Sequence, residues 1–269
     1  MEGQRVRKER LARTFDRSAS LYERGRPQYP ATAIQFAAAT FGLGRGSVIV
    51  DLAAGTGKLT RALQATGATI IAVEPMPGMR RVFRRVVPEV PVVDGRAEAV
   101  PLPAGFADAV FVGQAFHWFR GGTALREIAR VLRPGGALVL VWNTRDDRVR
   151  WSRRLTEIVE RAGGSRGRAT TSDRGWRRPF RRGRSPFTGL RKRTFPHTQS
   201  ATPTTILARI LSVSHVAVQP PPVRRRVAKE IGDLLTTDPR TRGRKLVELP
   251  YRTEVFYCRK RPARRTRAA

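Results

Sequence analysis

The chain has 269 residues, 40% of them hydrophobic, with 53 Lys/Arg against 21 Asp/Glu and a net charge of +32. That length and apolar content support one large α/β domain, or one domain with a small insertion. A single cysteine, Cys258, excludes a disulfide framework and a cysteine-rich metal site, and no stretch approaches the ~20 apolar residues of a membrane helix, so the expectation is a soluble, cytoplasmic protein with no membrane partner.

Residues 31–41 (ATAIQFAAATF) predict a helix ending at Gly42. Ser47 to Leu52 is a continuous apolar run ending in Asp51-Leu52, the pattern of a strand buried on both faces. A small-residue turn follows at 53–57, then helical spacing from Lys58 to Thr66, closed by Gly67. Thr69–Glu74 predicts a second strand, Met79–Val87 a helix and Val90–Asp94 a short third strand. Asp108–Val112 predicts a fourth strand, Thr123–Leu132 a helix, Arg133-Pro134-Gly135-Gly136 a hard stop, and Ala137–Trp142 a fifth strand. Strands alternating with helices of about ten residues imply right-handed βαβ units and a doubly wound, mainly parallel sheet.

Beyond Asn143 the pattern weakens. Residues 161–193 hold 12 Lys/Arg and one acid among several Gly and Pro, and read as a poorly structured, exposed insertion. Helices return around Thr204–Leu211 and Val223–Leu235, and Thr253–Cys258 alternates like a closing strand. The expected organisation is an N-terminal helical cap over 1–45, a core over 46–150, a basic insertion with C-terminal completion of the domain over 151–258, and a basic disordered tail over 259–269. The charge is uneven: 23 Lys/Arg against 13 acids in 1–150, and 30 against 8 in 151–269. Such a second half fits a nucleic-acid partner, or an Arg-favouring composition spread over solvated surface. Arg far outnumbers Lys and no spaced aromatic platform is visible, which favours the second reading.

The strongest local signal is Val50-Asp51-Leu52-Ala53-Ala54-Gly55-Thr56-Gly57 on a strand–turn–helix. Small residues let the backbone turn sharply and approach a ligand. A dinucleotide fingerprint wants Gly at 53, 55 and 58, where Ala53 and Lys58 break the pattern, and a Walker phosphate loop fails as well. Glu74 ends the second strand 19 residues after Gly55, where an acid can accept hydrogen bonds from both hydroxyls of a ribose. That position serves nicotinamide and adenosine-type cofactors alike. His197 and His215 have no metal-ligand spacing, so no metal is assigned.

Asp51–Gly57, Glu74, Gly95-Arg96-Ala97-Glu98 with Pro101-Leu102-Pro103, and Arg130-Val131-Leu132-Arg133-Pro134-Gly135-Gly136 together resemble the class I S-adenosylmethionine-dependent methyltransferases. The nearest branch is the small-molecule "type 11" group, through Arg26-Pro27-Gln28-Tyr29-Pro30 and Phe116-His117-Trp118-Phe119, with weaker matches at Ser212–Ser214 and Pro250–Thr253. The resemblance implies a Rossmann-like sheet of seven strands with the last antiparallel. It implies that Ala53, Ala54, Gly55, Thr56 and Gly57 pack against S-adenosylmethionine. It also implies that Asp51 orients that loop or reaches the cofactor's amino group, Glu74 holds the ribose, Arg96 and Ala97 flank the adenine, and Gln114 and Ala115 line the transfer site. Ala53 replaces the family's first Gly, where a methyl is expected to need φ < 0, and Arg96 stands where an Asp is common. His117 is a candidate general base, though transfer from a sulfonium often needs only alignment. Tyr22, Tyr29, Trp118 and Tyr251 are candidate walls of the substrate pocket, since aromatic rings suit a cationic sulfonium. The expected partner is a small-molecule methyl acceptor. The alternatives are a degenerate methyltransferase fold that binds nucleic acid, or an RNA methyltransferase. The residues after the fourth strand, Gly113-Gln114-Ala115-Phe116, lack the Asn/Asp-Pro-Pro-Tyr/Phe element of amino-methylating nucleic-acid enzymes.

Overall fold

The apolar runs of the first half become parallel strands in the computed structural model, which describes residues 19, 23, 26–163, 174–181 and 185–262. They are β1 (Val48–Leu52), β2 (Thr69–Val73), β3 (Val92–Val93), β4 (Ala107–Gly113) and β5 (Leu132–Arg145). With β6 (Arg191–Ala201) and β7 (Val247–Arg259) they make a seven-stranded sheet of order β3-β2-β1-β4-β5-β7-β6. β7 is antiparallel to both of its neighbours and the remaining pairings are parallel. This is the expected Rossmann-like sheet with its last strand reversed.

Side-chain alternation explains why the runs are continuous. Ile49, Ala109, Phe111, Val139 and Val141 face α1 (Ala31–Phe41), α2 (Lys58–Gln64) and α3 (Pro77–Val86), meeting Ala33, Ile34, Leu59, Leu63 and Phe83. Val50, Leu52, Val110, Val112, Leu138 and Leu140 face the opposite way, onto Leu125 and Ile128 of α4 (Gly121–Val131). Each large side chain buried this way contributes about 1.5–3 kcal/mol, so both helical layers are held by the same five strands.

The structure departs from the sequence reading at four places. Arg133–Gly136 does not precede β5 but lies inside it. Leu132 pairs with Ala107 and Ala137 with Ala109, so a bulge absorbs the intervening residues, with Gly135 in the left-handed region at φ 74. Second, a helix missing from the sequence reading, α5 (Arg150–Gly163), carries Trp151, Leu155, Ile158, Val159 and Ala162 into a core. That core is shared with α6 (Pro203–Leu211), α7 (Pro221–Thr237) and the start of β7. Third, the described parts of 161–193 are ordered. Short helical turns at Arg174–Arg177 and Arg178–Arg181 put Trp176 against Trp142, with ring centroids 4.5 Å apart, and residues 191–201 form β6. β6 is an edge strand, so it tolerates Lys, Arg and Pro196, the residues that hid it. Fourth, the described start of the expected disordered tail is paired. Arg259 ends β7 and Lys260 bridges to Phe187. No helix among the described residues is long and apolar enough to cross a membrane.

Candidate functional site

In a sheet of this order the chain reverses its direction of travel between β1 and β4, and ligands in open α/β sheets bind beyond the carboxyl ends of the strands at such a point. A solvent-open cleft lies there, lined by Arg26, Pro27, Tyr29, Asp51, Ala53, Ala54, Gly55, Thr56, Lys58, Leu59, Gly113 and Gln114.

The turn after β1 is strained by design of its sequence. Gly55 and Gly57 take left-handed φ values of 60 and 86, and Ala53 does so as well at 59. The expectation that a methyl at position 53 needs φ < 0 is therefore wrong. The neighbouring strand supplies the compensation, because the Ala53 and Ala54 N–H groups both donate to the Val73 carbonyl, at 2.7 and 3.2 Å. An L-residue in that region costs roughly 1–2 kcal/mol. The only other non-glycine with positive φ among the described residues is Gln114, at 58, just beyond β4. Its N–H donates to Val141 O at 2.9 Å and its Nε2 to Asn143 O at 2.9 Å. Both strained residues line the cleft, where such strain is commonly stored.

The two glycines differ in what surrounds them. A Cβ on Gly55 would meet nothing within 4 Å, so it faces open cleft. One on Gly57 would lie 2.7 Å from Val87 Cγ2 and 2.9 Å from the Phe83 ring, so this glycine admits α3 to the turn. At Gly113 a Cβ would lie 2.6 Å from the Tyr29 hydroxyl, which places Tyr29 over the end of β4.

Two carboxylates sit beneath the cleft. Asp51 is fully buried; its Oδ2 accepts from Thr60 Oγ1 at 2.6 Å and its Oδ1 has no hydrogen-bond partner. Burial, opposed by the Thr60 bond and reinforced by the charge of Glu74, pushes its carboxyl from 3.8 up to about 7. Glu74 is also buried, its Oε2 accepting from Gly55 N at 2.9 Å and its Oε1 from Met76 N at 2.8 Å.

The sequence-predicted residues do not all converge. Asp51, Ala53, Ala54, Gly55, Thr56, Gln114 and Tyr29 line the cleft, with Glu74 bonded to the turn and Gly57 at its base. Ala115 follows Gln114 and packs against the core. Arg96 is exposed in a turn closed by Ala99 N donating to Arg96 O at 3.0 Å, and Ala97 is buried in the core. His117 and Trp118 lie on a single 3-10 turn, rings 5.0 Å apart, and the cleft is lined by Gln114 instead. Tyr251 is buried in β7, its hydroxyl accepting from Arg209 Nη1 at 2.9 Å and its ring stacked on His197. It is not part of the cleft lining. Tyr22 lies outside the described residues.

Four participants were missed. Arg26 and Lys58 line the cleft. Burial lowers the Lys58 ammonium, and the Glu23 carboxylate opposes this. Glu23 binds Lys58 Nζ at 3.3 Å, Thr56 Oγ1 at 2.5 Å and Arg61 Nη2 at 2.5 Å. Asn143 joins three segments: its Nδ2 donates to Gln28 O at 2.9 Å, and its Oδ1 accepts from Thr253 Oγ1 at 2.6 Å. Arg26 belongs to a stretch the sequence had marked; Glu23 and Asn143 gave no signal, because their contacts span 33 and 110 residues.

Comparison with known proteins agrees with this geometry. A family model described as a methyltransferase domain matches residues 50–140. An uncharacterized methyltransferase of Mycobacterium tuberculosis is 37% identical over 244 residues, covering 90% of this chain and 94% of its own. A methyltransferase-like protein of Schizosaccharomyces pombe, also uncharacterized, is 34% identical over 253 residues, covering 94% and 97%. Among solved structures, an Anaeromyxobacter dehalogenans protein assigned as a type II methyltransferase superposes with a TM-score of 0.61 at 21% identity, covering 88% of this chain and 97% of that one, which speaks to the fold alone. With relatives of this identity over nearly its whole length, and the strained turn and acid in their expected places, the chain belongs to the methyltransferase family, in its type 11 branch.

Proposed function

We propose that the protein transfers a methyl group from S-adenosylmethionine to a small-molecule acceptor. The observation that carries this reading is the pairing of the two strained non-glycine residues, Ala53 and Gln114, across one cleft at the reversal point of the sheet. The residues fit the cofactor. Gly55 leaves open space where a ligand would approach the backbone, and the Glu74 carboxylate sits directly under the turn, bonded to Gly55 N. The unpartnered Oδ1 of buried Asp51 is an acceptor without a donor, facing a cleft suited to a cationic amine. In this reading Glu74 holds the ribose, Asp51 and residues 53–57 hold the methionine part, and Arg96 and Ala97 flank the adenine.

When bound, S-adenosylmethionine supplies an electrophilic methyl group on sulfur. The chain's task is then to align the acceptor and exclude water. Tyr29 and Gln114 stand at the end of β4 on the acceptor side, and Asn143 fixes Gln114 and the Gln28 backbone together. Alignment by these groups carries the reaction in this reading; His117 on its 3-10 turn has no role as a base. Titration calorimetry with S-adenosylmethionine and S-adenosylhomocysteine tests the assignment. One-to-one binding of both is expected, and absence of binding by either ligand to the folded protein would refute it.

A further inference from the structure

The direction of the Glu74 carboxylate is set by its backbone, and a side chain outside the cleft lining holds that backbone. β2 ends at Val73, and two residue pairs, Ala72 with Val92 and Val73 with Val93, join it to β3 at the edge of the sheet. The chain then leaves the sheet through Glu74-Pro75-Met76 and enters α3. The ring of Pro75 crowds the residue before it and keeps Glu74 extended. Proline has no N–H, so it cannot fasten the link itself. A small backbone rotation at Glu74 would swing the carboxylate, at the end of a long side chain, away from a ligand. A binding group needs to be held within roughly 0.5 Å of its productive position.

Arg80, in the first turn of α3, supplies that hold. Its Nη1 donates to the Glu74 carbonyl at 2.8 Å and its Nη2 to Asp94 Oδ2 at 3.0 Å. One guanidinium therefore ties the residue after β2 to the residue after β3, beyond the last paired residues of both strands. The Glu74 N–H donates to Val93 O at 3.1 Å, so both backbone polar groups of Glu74 are engaged. The Arg80 N–H donates to Met76 O at 3.0 Å, which fixes the far end of the link. With its backbone held in this way, the Glu74 carboxylate meets Gly55 N at 2.9 Å and Met76 N at 2.8 Å. The Asp94 side chain is 69% exposed, and an ion pair to such an acid stabilises a fold by at most about 1 kcal/mol. The larger consequence of the pair is directional, because the planar fork of an arginine serves two acceptors at once where a lysine is a single point charge.

We propose that Arg80, steadied by Asp94, is a positioning residue for cofactor binding: it fixes the Glu74 backbone so that the carboxylate meets the ribose hydroxyls. The proposal rests on the reading of Glu74 as the ribose acid. Arg80 is not part of the cleft lining and touches no ligand in this role. Its removal should therefore act on affinity only through Glu74. That dependence separates it from a side chain that merely ties a helix to the sheet.

The test is titration of the full chain with S-adenosylhomocysteine, followed by calorimetry, in a double-mutant cycle of Arg80→Ala and Glu74→Ala. Arg80→Ala should weaken binding about ten-fold, within the range of coupling between residues in one hydrogen-bonded network. Arg80→Lys, which keeps one donor, should recover part of that loss. In the Glu74→Ala protein, adding Arg80→Ala should change the affinity by less than about two-fold, because the group it positions is gone. Wild-type affinity in a folded Arg80→Ala protein overturns the proposal. So does an equal loss in both Glu74 backgrounds, which would make the role of Arg80 structural and independent of the acid. If Arg80→Ala loses the wild-type circular dichroism spectrum, Asp94→Ala, at an exposed position, releases the guanidinium from its other end. A loss of about three-fold is then expected, and unchanged affinity overturns the proposal. Unchanged affinity in a folded Glu74→Ala protein refutes the ribose placement and the proposal with it. Failure of wild-type protein to bind S-adenosylhomocysteine refutes instead the underlying methyl-transfer reading.

Discussion

Replacing Glu74 with Ala removes two kinds of bond at once, and the structure separates their sizes. In the folded chain the carboxylate accepts from the Gly55 and Met76 N–H groups, at 2.9 and 2.8 Å. Hydrogen bonds to a charged group contribute roughly 1.5–3 kcal/mol each. Gly55 and Met76 are both part-exposed, so water replaces the lost acceptor and the cost to folding should be about 1–3 kcal/mol in total. The fold should survive that loss, because Glu74 lies past the end of β2 and its one bond to a neighbouring strand, N–H to Val93 O at 3.1 Å, is made by the backbone and is kept in the variant. The loss to cofactor is additional. One charge-assisted ribose bond at the low end of that range corresponds to about ten-fold in affinity, and two to about a hundred-fold. The assay is urea unfolding with and without S-adenosylhomocysteine. At a concentration of about 100 times the wild-type Kd, the ligand stabilises wild-type protein by about 2.7 kcal/mol. A variant weakened a hundred-fold would gain only ~0.4 kcal/mol at the same concentration. Glu74→Gln, which keeps one carbonyl acceptor, should fall between the two. A folded Glu74→Ala protein that gains the full wild-type stabilisation would refute the placement of the ribose on Glu74.

The two glycines of the turn should respond differently. Gly55→Val, with strained φ but open space, should leave the protein folded and abolish S-adenosylhomocysteine binding, whereas Gly57→Val drives a side chain into Val87 and Phe83 and should lower the melting temperature or prevent folding. Circular dichroism melts with parallel calorimetry distinguish them, and a normally stable Gly57→Val protein would contradict the contact. Asp51 gives a pH dependence with a definite sign. Its folded carboxyl is raised from 3.8 to about 7, so between about pH 4 and 7 the folded state holds a proton the unfolded state has lost, and this group's contribution to stability falls as pH rises. The slope is at most about 1.4 kcal/mol per pH unit. Asp51→Asn should flatten it and be the more stable protein at pH 8; a wild-type-minus-variant difference that stays constant from pH 5 to 8 would show that burial does not hold the proton there.

Much of the first half was legible because a strand covered on both faces has no choice of pattern. Val48–Leu52, Ala107–Gly113 and the apolar end of β5 are apolar throughout except for the buried acids Asp51 and Asp108, and such runs are hard to mistake. The turn and Glu74 were legible for a related reason, since a backbone bent that sharply restricts its residues to Gly, Ala and Thr. The second half concealed its structure under its charge. In α5 the apolar residues Trp151, Leu155, Ile158, Val159 and Ala162 keep a helical spacing, but arginines between them mask it. β6 pairs on one side only and is largely exposed, so its sequence carries little strand signal.

What the sequence by itself determined was therefore the class of fold, the turn that lines the cleft, and the acid bonded to it, all set by local backbone geometry and burial. The tertiary structure alone decided which distant groups meet there. It brought Glu23 onto Thr56, Asn143 onto Gln28, and Arg209 onto Tyr251, and it set Tyr251, Trp118 and His117 apart from the cleft lining. These encounters link residues tens to more than a hundred positions apart. Their partners are fixed by how α6 and β7 pack on the sheet, and that packing depends on side-chain volume summed over a whole core, which no short stretch of sequence records.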